Sequence, residues 1–290
     1  MQLLFLMDRV MARLSDALGD RAILKGGLAL ELRLEDVRTT RDIDLRVDGA
    51  APDPLDLRRA GQMDLGDRFS FEISPASDRP KIAGPGVRYE GTRYQVKPRF
   101  AGKDYGRAFG LDVAVGGVLT GRVDSVHGDG LLSFVGLEPR VYRLLPRETH
   151  VAEKLHAYTM PWEGMNSRVK DLPDLALLAR TGPFDGDAVR RAIDRTFQER
   201  ATHEVPSALP APPAAWQTPY ATIAAEDRLA WPSLASVFTA AATFVDGALR
   251  RGAVWNRDGR AWETPGDGDG DGDGGGAAGA GSAAPVDGEG

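Results

Sequence analysis

The chain has 290 residues, 42% of them hydrophobic, which is enough to bury cores in about two domains, and 36 Lys and Arg against 42 Asp and Glu give a formal charge of −6. The acidic excess lies entirely in residues 266–290, where Asp267, Asp269, Asp271, Asp273, Asp287 and Glu289 stand without a basic residue, so the body is neutral and a generally acidic protein is excluded. With no cysteine and four scattered histidines (His127, His150, His156 and His203), disulfide, zinc-thiolate and cysteine-nucleophile chemistry are excluded, which leaves carboxylates, Lys, Arg and hydroxyls.

Residues 2–18 have the apolar spacing of an amphipathic helix. The apolar run breaks at Asp8 and Arg9, too short for a membrane span, and no later stretch is long enough; a soluble, cytoplasmic protein with no membrane partner is expected. A short strand over 22–24 leads through Lys25, Gly26 and Gly27 into a helix, and the alternation of 42–47 predicts a half-buried strand. A helix is expected over 54–61. Strands are expected over 68–73, 87–100 (with Gly91 near a turn), 109–117 and 141–145.

From residue 148 the pattern becomes helical, with candidates over 148–160, 171–180, 184–199 and 232–250. Pro206, Pro210, Pro212 and Pro213 predict a stiff, extended linker over 206–215. The expected fold class is α+β: a mixed-sheet lobe over 1–147, a mainly helical lobe over 148–265 and a disordered Gly/Asp tail over 266–290. In that tail Asp267, Asp269, Asp271 and Gly272 match the opening of a calcium-binding loop. The bidentate acid required at the twelfth position falls on Ala278, so the calcium reading fails.

Chemistry concentrates between Lys25 and Arg46. On a strand, Asp42 and Asp44 share one face, while Ile43 and Leu45 point to the other. Adjacent carboxylates repel unless a cation lies between them, and Mg²⁺ favours carboxylate oxygens together with substrate phosphates. Arg38 and Thr40 line the same side if the extended conformation reaches back that far. Gly26 and Gly27 open a helix whose bare N–H groups favour phosphate. A D-x-D pair alone is common on solvated strands, and a Gly-Gly alone is commonly only a turn. Their order is what places a phosphate cradle beside metal ligands.

KGGLALELR (25–33), RTTRDIDLRV (38–47), HVAEKLHA (150–157) and RVKDLPDL (168–175) resemble, in this order, the motifs of the AbiEii/AbiGii-type toxin nucleotidyltransferases, a branch of the DNA polymerase β-like nucleotidyltransferase superfamily. The resemblance covers residues 20–180. It implies that Gly26 and Gly27 contact a triphosphate, that Asp42 and Asp44 hold Mg²⁺ or Mn²⁺, and that Lys154 contacts the nucleotide. It also implies that Asp171 and Asp174 complete the site from the helical lobe. The superfamily has a third carboxylate on a later central strand, and Asp112 is the candidate, because an Asp among apolar strand residues otherwise makes a poor core position. Pro173 departs from the aromatic residue common in the family.

The same residues have plainer readings. Lys154 borders the stripe formed by Val151, Leu155 and Tyr158, where an ordinary lysine would lay its stem on the packed surface. Asp171 stands where Pro173 places the start of a helix, so it serves equally as an N-cap or as a site residue. Arg93, Lys97, Arg99, Lys103 and Arg107, interleaved with Tyr94, Phe100 and Tyr105, suit either an RNA backbone or, more simply, a solvated strand face. Trp216, Trp231, Trp255 and Trp262 read as packing anchors.

The resemblance therefore implies a metal-dependent nucleotidyltransferase that moves a nucleoside monophosphate from an NTP to an acceptor hydroxyl. By the same resemblance the acceptor is a tRNA 3′ end, and the protein is a toxin silenced by a cognate antitoxin. The alternatives are transfer to an aminoglycoside-like small molecule and a non-catalytic nucleotide-binding protein of the same fold.

Overall fold

The computed structural model describes residues 2–34, 37–78, 80–82, 90–128, 130–161, 168–250 and 253–263; the 266–290 tail and the first residues of the 87–100 run lie outside these. Among the described residues, one mixed sheet forms the N-terminal half. From edge to edge its strands are β3 (Phe69–Pro75), β4 (Gly91–Phe100), β6 (Phe109–Val115), β2 (Asp42–Val47), β1 (Ala22–Lys25), β8 (Val141–Leu144) and β7 (Asp124–His127), and the short β5 (Lys103–Asp104) pairs with β4. β2 runs parallel to β6 and β1 parallel to β8; the other neighbours are antiparallel.

Helices α1 (Gln2–Leu18) and α3 (Pro54–Gly61) pack on one face of this sheet. Pro54 at the first helical turn and Asp53, which accepts the Leu55 N–H at 2.7 Å, start α3 where the sequence places it. The alternation in β2 sends Ile43, Leu45 and Val47 into the core with Leu111, Val113, Val96 and the α1 residues Met7, Val10 and Leu14. The opposite face keeps Asp42 and Asp44.

A buried ionic cluster fastens α1 to the sheet. Arg13 is fully buried; it donates to both oxygens of Asp67 (2.6 and 3.0 Å) and to the carbonyls of Phe69, Met63 and Arg9. Arg9 donates to Asp67 as well, at 2.8 Å. Burial alone would raise the Asp67 carboxyl, but hydrogen bonds from Arg13 and Arg9 overcome this and hold it below the ordinary range. Tyr142 on β8 donates to Asp8 at 2.8 Å.

The second half is helical: α4 (Arg147–Thr159), α5 (Asp171–Leu178), α6 (Gly186–Arg200), α7 (Gln217–Glu226) and α8 (Leu234–Leu249). They share a core containing Val151, Leu155, Leu172, Leu175, Ile193 and Phe244. A small sheet of β9 (Phe184–Asp185), β10 (Val254–Asn256) and β11 (Ala261–Glu263) adds Trp255 and Trp262, whose rings pack against Phe244. Trp216 and Trp231 are also buried, so these four of the five tryptophans are packing residues. The Pro-rich stretch is a strap laid on this lobe: Leu209 is buried, its N–H donates to Asp246 at 2.7 Å, and the Pro210 carbonyl accepts the Tyr158 hydroxyl at 2.7 Å.

The periodicity does not announce α7, which buries only Tyr220 and Ala224 and so carries almost no apolar stripe. The short helix α2 (Gly26–Glu31) belongs to both halves: Leu28 and Ala29 join the sheet core and Leu30 joins the helical core.

Asp67→Ala would leave two buried guanidinium groups without their carboxylate. Unfolding in urea should show a loss of about 3–5 kcal/mol; a loss below about 1 kcal/mol would mean that the cluster does not hold α1.

Candidate active site

Sheet register builds the site. Parallel pairing of β2 with β6 sets Asp44 opposite Asp112, antiparallel pairing of β6 with β4 sets Asp112 opposite Arg93, and pairing of β1 with β2 sets Lys25 opposite Asp44. Arg93, Asp112, Asp44 and Lys25 thus form a straight row across four strands, on the face away from α1, with charges in the order plus, minus, minus, plus. Asp42 lies opposite Gly110 and accepts its N–H at 3.2 Å. A Cβ at Gly110 would lie 2.5 Å from the Asp42 carboxylate, so the glycine makes that approach possible.

Arg93 donates through Nε and Nη2 to both oxygens of Asp112, at 2.8 Å each. Burial raises the Asp44 carboxyl; Lys25 and Lys154 offset this in part, while Asp112 and Asp42 push it further up. Asp44 therefore holds its proton more tightly than an ordinary carboxyl, because it is buried beside two other acids.

The helical lobe supplies the facing groups. Lys154 on α4 places Nζ 2.9 Å from Asp171 and 2.7 Å from Asp174. Burial would lower its ammonium, but the two carboxylates overcome this and hold it charged. Arg38 clasps Asp174 with two bonds of 2.6 and 2.9 Å. Burial acts to raise the Asp174 carboxyl, but Lys154 and Arg38 hold it far below the ordinary range.

Asp171 is the first residue of α5. The cap position is Lys170, which makes no side-chain cap bond. The Asp171 carboxylate turns instead to Lys154, which decides against the capping reading. Its Oδ2 is buried and, among the described residues, without a hydrogen-bond partner. From α4, Glu153 meets Lys25 at 3.1 Å and Arg200 at 3.4 Å. Burial raises its carboxyl, yet Lys25 and Arg200 bring it down to about 2. His150, buried between Lys154 and Arg33, is pushed down to about 3 by burial and those two cations, so it is neutral at physiological pH.

The two glycines act as seats. Gly26 has φ +65°, and a Cβ there would fall 1.9 Å from Asp44 Oδ2; a Cβ on Gly27 would fall 2.5 Å from Thr40 Oγ1 and 3.5 Å from Arg38. Glu31, at the end of α2, accepts the Thr40 N–H and so fixes the loop that carries Arg38 and Thr40. Asp227, just beyond α7, accepts the Thr39 N–H at 3.1 Å. Burial raises the Glu31 carboxyl to about 7, against the Thr40 bond and the charge of Arg38.

Gly26, Gly27, Arg38, Thr40, Asp42, Asp44, Asp112, Lys154, Asp171 and Asp174 all fall in this one connected set. Lys25, Glu153, Arg93 and Glu31 belong to it without having been selected from the sequence. Lys25 and Glu153 sit inside the quoted motifs, next to selected residues. Arg93 lay in the basic strand, whose alternate residues Arg93, Lys97 and Arg99 do face solvent.

Among the described residues, no three acidic or imidazole groups converge as a metal shell in this arrangement. Both oxygens of Asp112 are taken by Arg93, and Asp42 is turned to Gly110. The donor set itself, three carboxylates on one face of the sheet, is of the chemistry that a hard dication such as Mg²⁺ or Mn²⁺ takes.

The model of the family described as nucleotidyl transferase AbiEii toxin, type IV TA system, matches residues 9–243. Among solved structures, MenT4, a nucleotidyltransferase toxin from Mycobacterium tuberculosis H37Rv, is 17% identical, with 86% of this chain and 91% of that chain covered and a TM-score of 0.49. A putative nucleotidyltransferase from H. pylori is 14% identical, with 85% and 96% covered and a TM-score of 0.47. JHP933 from Helicobacter pylori is also 14% identical, with 85% and 93% covered and a TM-score of 0.46. No curated protein matches.

Gly26→Ala should cost about 1–2 kcal/mol in urea unfolding through the left-handed backbone alone, and more if Asp44 is forced from its seat; an unchanged midpoint would contradict that seat. Glu31 binds its proton more tightly when folded, so its ionisation lowers stability as pH rises from 4.5 to about 7. Glu31→Gln keeps an acceptor for Thr40 and should stabilise the protein by about 1–2 kcal/mol at pH 8, with little effect at pH 4. Equal effects at both pH values, read by thermal melting, would refute this.

Proposed function

The chain belongs to the AbiEii nucleotidyl transferase toxin family and is a nucleotidyltransferase, and from that premise we propose that it transfers a nucleoside monophosphate from an NTP to the 3′-terminal hydroxyl of a tRNA, with the help of a divalent cation. The observation that carries this reading is the carboxylate row: Asp44 and Asp112 in register, with Asp42 two residues away, on a sheet face opposite Lys154.

Asp42, Asp44 and Asp112 would hold the cation. When bound, it supplies charge neutralisation at the α-phosphate and at the attacking and leaving oxygens. The chain's own groups do the rest by position and charge. Lys154, kept ionised between Asp171 and Asp174, is a fixed positive charge facing the site for the nucleotide phosphates. Arg38 anchors Asp174 and thereby Lys154. Lys25 offsets the charge of Asp44, and Glu153 fixes Lys25 from the helical lobe. Gly26 and Gly27 let Asp44 and Thr40 close on the start of α2, and their N–H groups serve the triphosphate.

In the reaction the acceptor hydroxyl gives its proton to water, its oxygen forms a bond to the α-phosphorus, the bond from that phosphorus to the oxygen bridging to the β-phosphate breaks, and pyrophosphate leaves with its electron pair. No covalent enzyme intermediate is needed, and catalysis rests on alignment and electrostatics. The chain is read as the toxin of a toxin–antitoxin pair, with the cognate antitoxin as its regulatory partner.

Incubation of the purified protein with each labelled NTP, Mg²⁺ and total tRNA should place label in tRNA, and Asp44→Ala should lower the rate at least about 100-fold. Absence of label in RNA with every NTP, or equal label with Asp44→Ala, would overturn the proposal. Label on amino-sugars but never on RNA would move the acceptor to small molecules.

A further inference from the structure

Arg93 stands at the outer end of the carboxylate row, and its geometry differs from that of an ordinary surface partner. Its guanidinium engages both oxygens of Asp112 at 2.8 Å, one hydrogen bond to each. This engagement keeps Asp112 out of a common shell with the other two acids. The backbone at this point is pinned: β4 is paired on both sides, and the Arg93 carbonyl accepts the Ala76 N–H at 2.9 Å. The Arg93 side chain, by contrast, is 49% exposed and can leave for water through rotation about its own bonds.

We infer that Arg93 is a positioning residue that competes with the divalent cation for Asp112: its guanidinium holds both carboxylate oxygens, and a cation that takes them must displace it. The inference rests on the metal site proposed above. A fixed single charge at Arg93 neutralises Asp112 but leaves the charge of Asp42 and Asp44 standing, whereas a dication placed among the three would answer all of them. The exchange costs one half-exposed ion pair and no change in the fold. Its consequence is that metal alone binds weakly.

The test is calorimetric titration of the full chain with Mn²⁺ alone, comparing the unmodified protein with Arg93→Gln, Arg93→Lys, Asp112→Asn, Asp44→Asn and the double variant Arg93→Gln/Asp112→Asn, each checked for folding by its thermal melt. Arg93→Gln should tighten Mn²⁺ binding about two- to fivefold. Arg93→Lys, which lacks the two-pronged fork, should tighten it by less. The double variant should bind as Asp112→Asn does, since the guanidinium acts only through that carboxylate. If Arg93→Gln leaves the Kd unchanged or raises it while Asp112→Asn and Asp44→Asn weaken binding, the metal site stands and the role of Arg93 is refuted. If neither Asn variant alters Mn²⁺ binding, the metal site itself falls, and this inference with it.

Discussion

Asp44 and Asp112 repel each other. Parallel pairing of β2 and β6 fixes them side by side, and much of what is unusual in this chain answers that repulsion. Lys25 and Arg93 close the row at its two ends. Lys154 faces it from the helical lobe and is itself kept charged by Asp171 and Asp174. Lys25 and Lys154 take further anions from the helical lobe, Glu153 on α4 and Asp171 with Asp174 on α5. The network therefore grows outward from two carboxylates until it joins both halves of the molecule.

That growth explains why the site belongs to neither half alone. Lys25 on the sheet is held by Glu153 on α4, and Arg38, in the loop before β2, is held by Asp174 on α5. Asp227 ties the same loop to the far end of the helical lobe. The six-residue helix α2 makes the apolar counterpart of these bonds, since its consecutive residues enter different cores. A short helix opened by Gly26 and Gly27 is thus a hinge point of packing as well as a seat for Asp44.

Much of this was legible in the sequence, for identifiable reasons. The face shared by Asp42 and Asp44 follows from a period of two, and Gly26 and Gly27 were legible as the opening of a helix, but that Asp44 and Thr40 close on them was not, because no local pattern names those neighbours. Lys154 and Asp171 were visible as motif residues, yet the local pattern allowed snorkelling and capping equally well. Only the tertiary contact between them decides. What stayed hidden is register. Nothing near Asp112 states that it will lie opposite Asp44, and nothing near Arg93 states that it will lie opposite Asp112, because strand pairing over that separation is set by the whole sheet. Arg200 reaches Glu153 from another helix with no local signal at all. The helix α7 was missed for a different reason, its lack of an apolar stripe.

The ionic cluster beneath the sheet also bears on how the chain is made. The charged residues of α1 are answered from far along the chain: Arg9 and Arg13 meet the carboxylate of Asp67, and Asp8 meets the hydroxyl of Tyr142. A helix with three charged residues destined for burial cannot settle on a core that has not been built. Its full set of polar partners exists only once the chain extends through Tyr142. A helix early in this chain is thus held by residues that come late in it, and β8, beside β1, carries the hydroxyl that Asp8 uses.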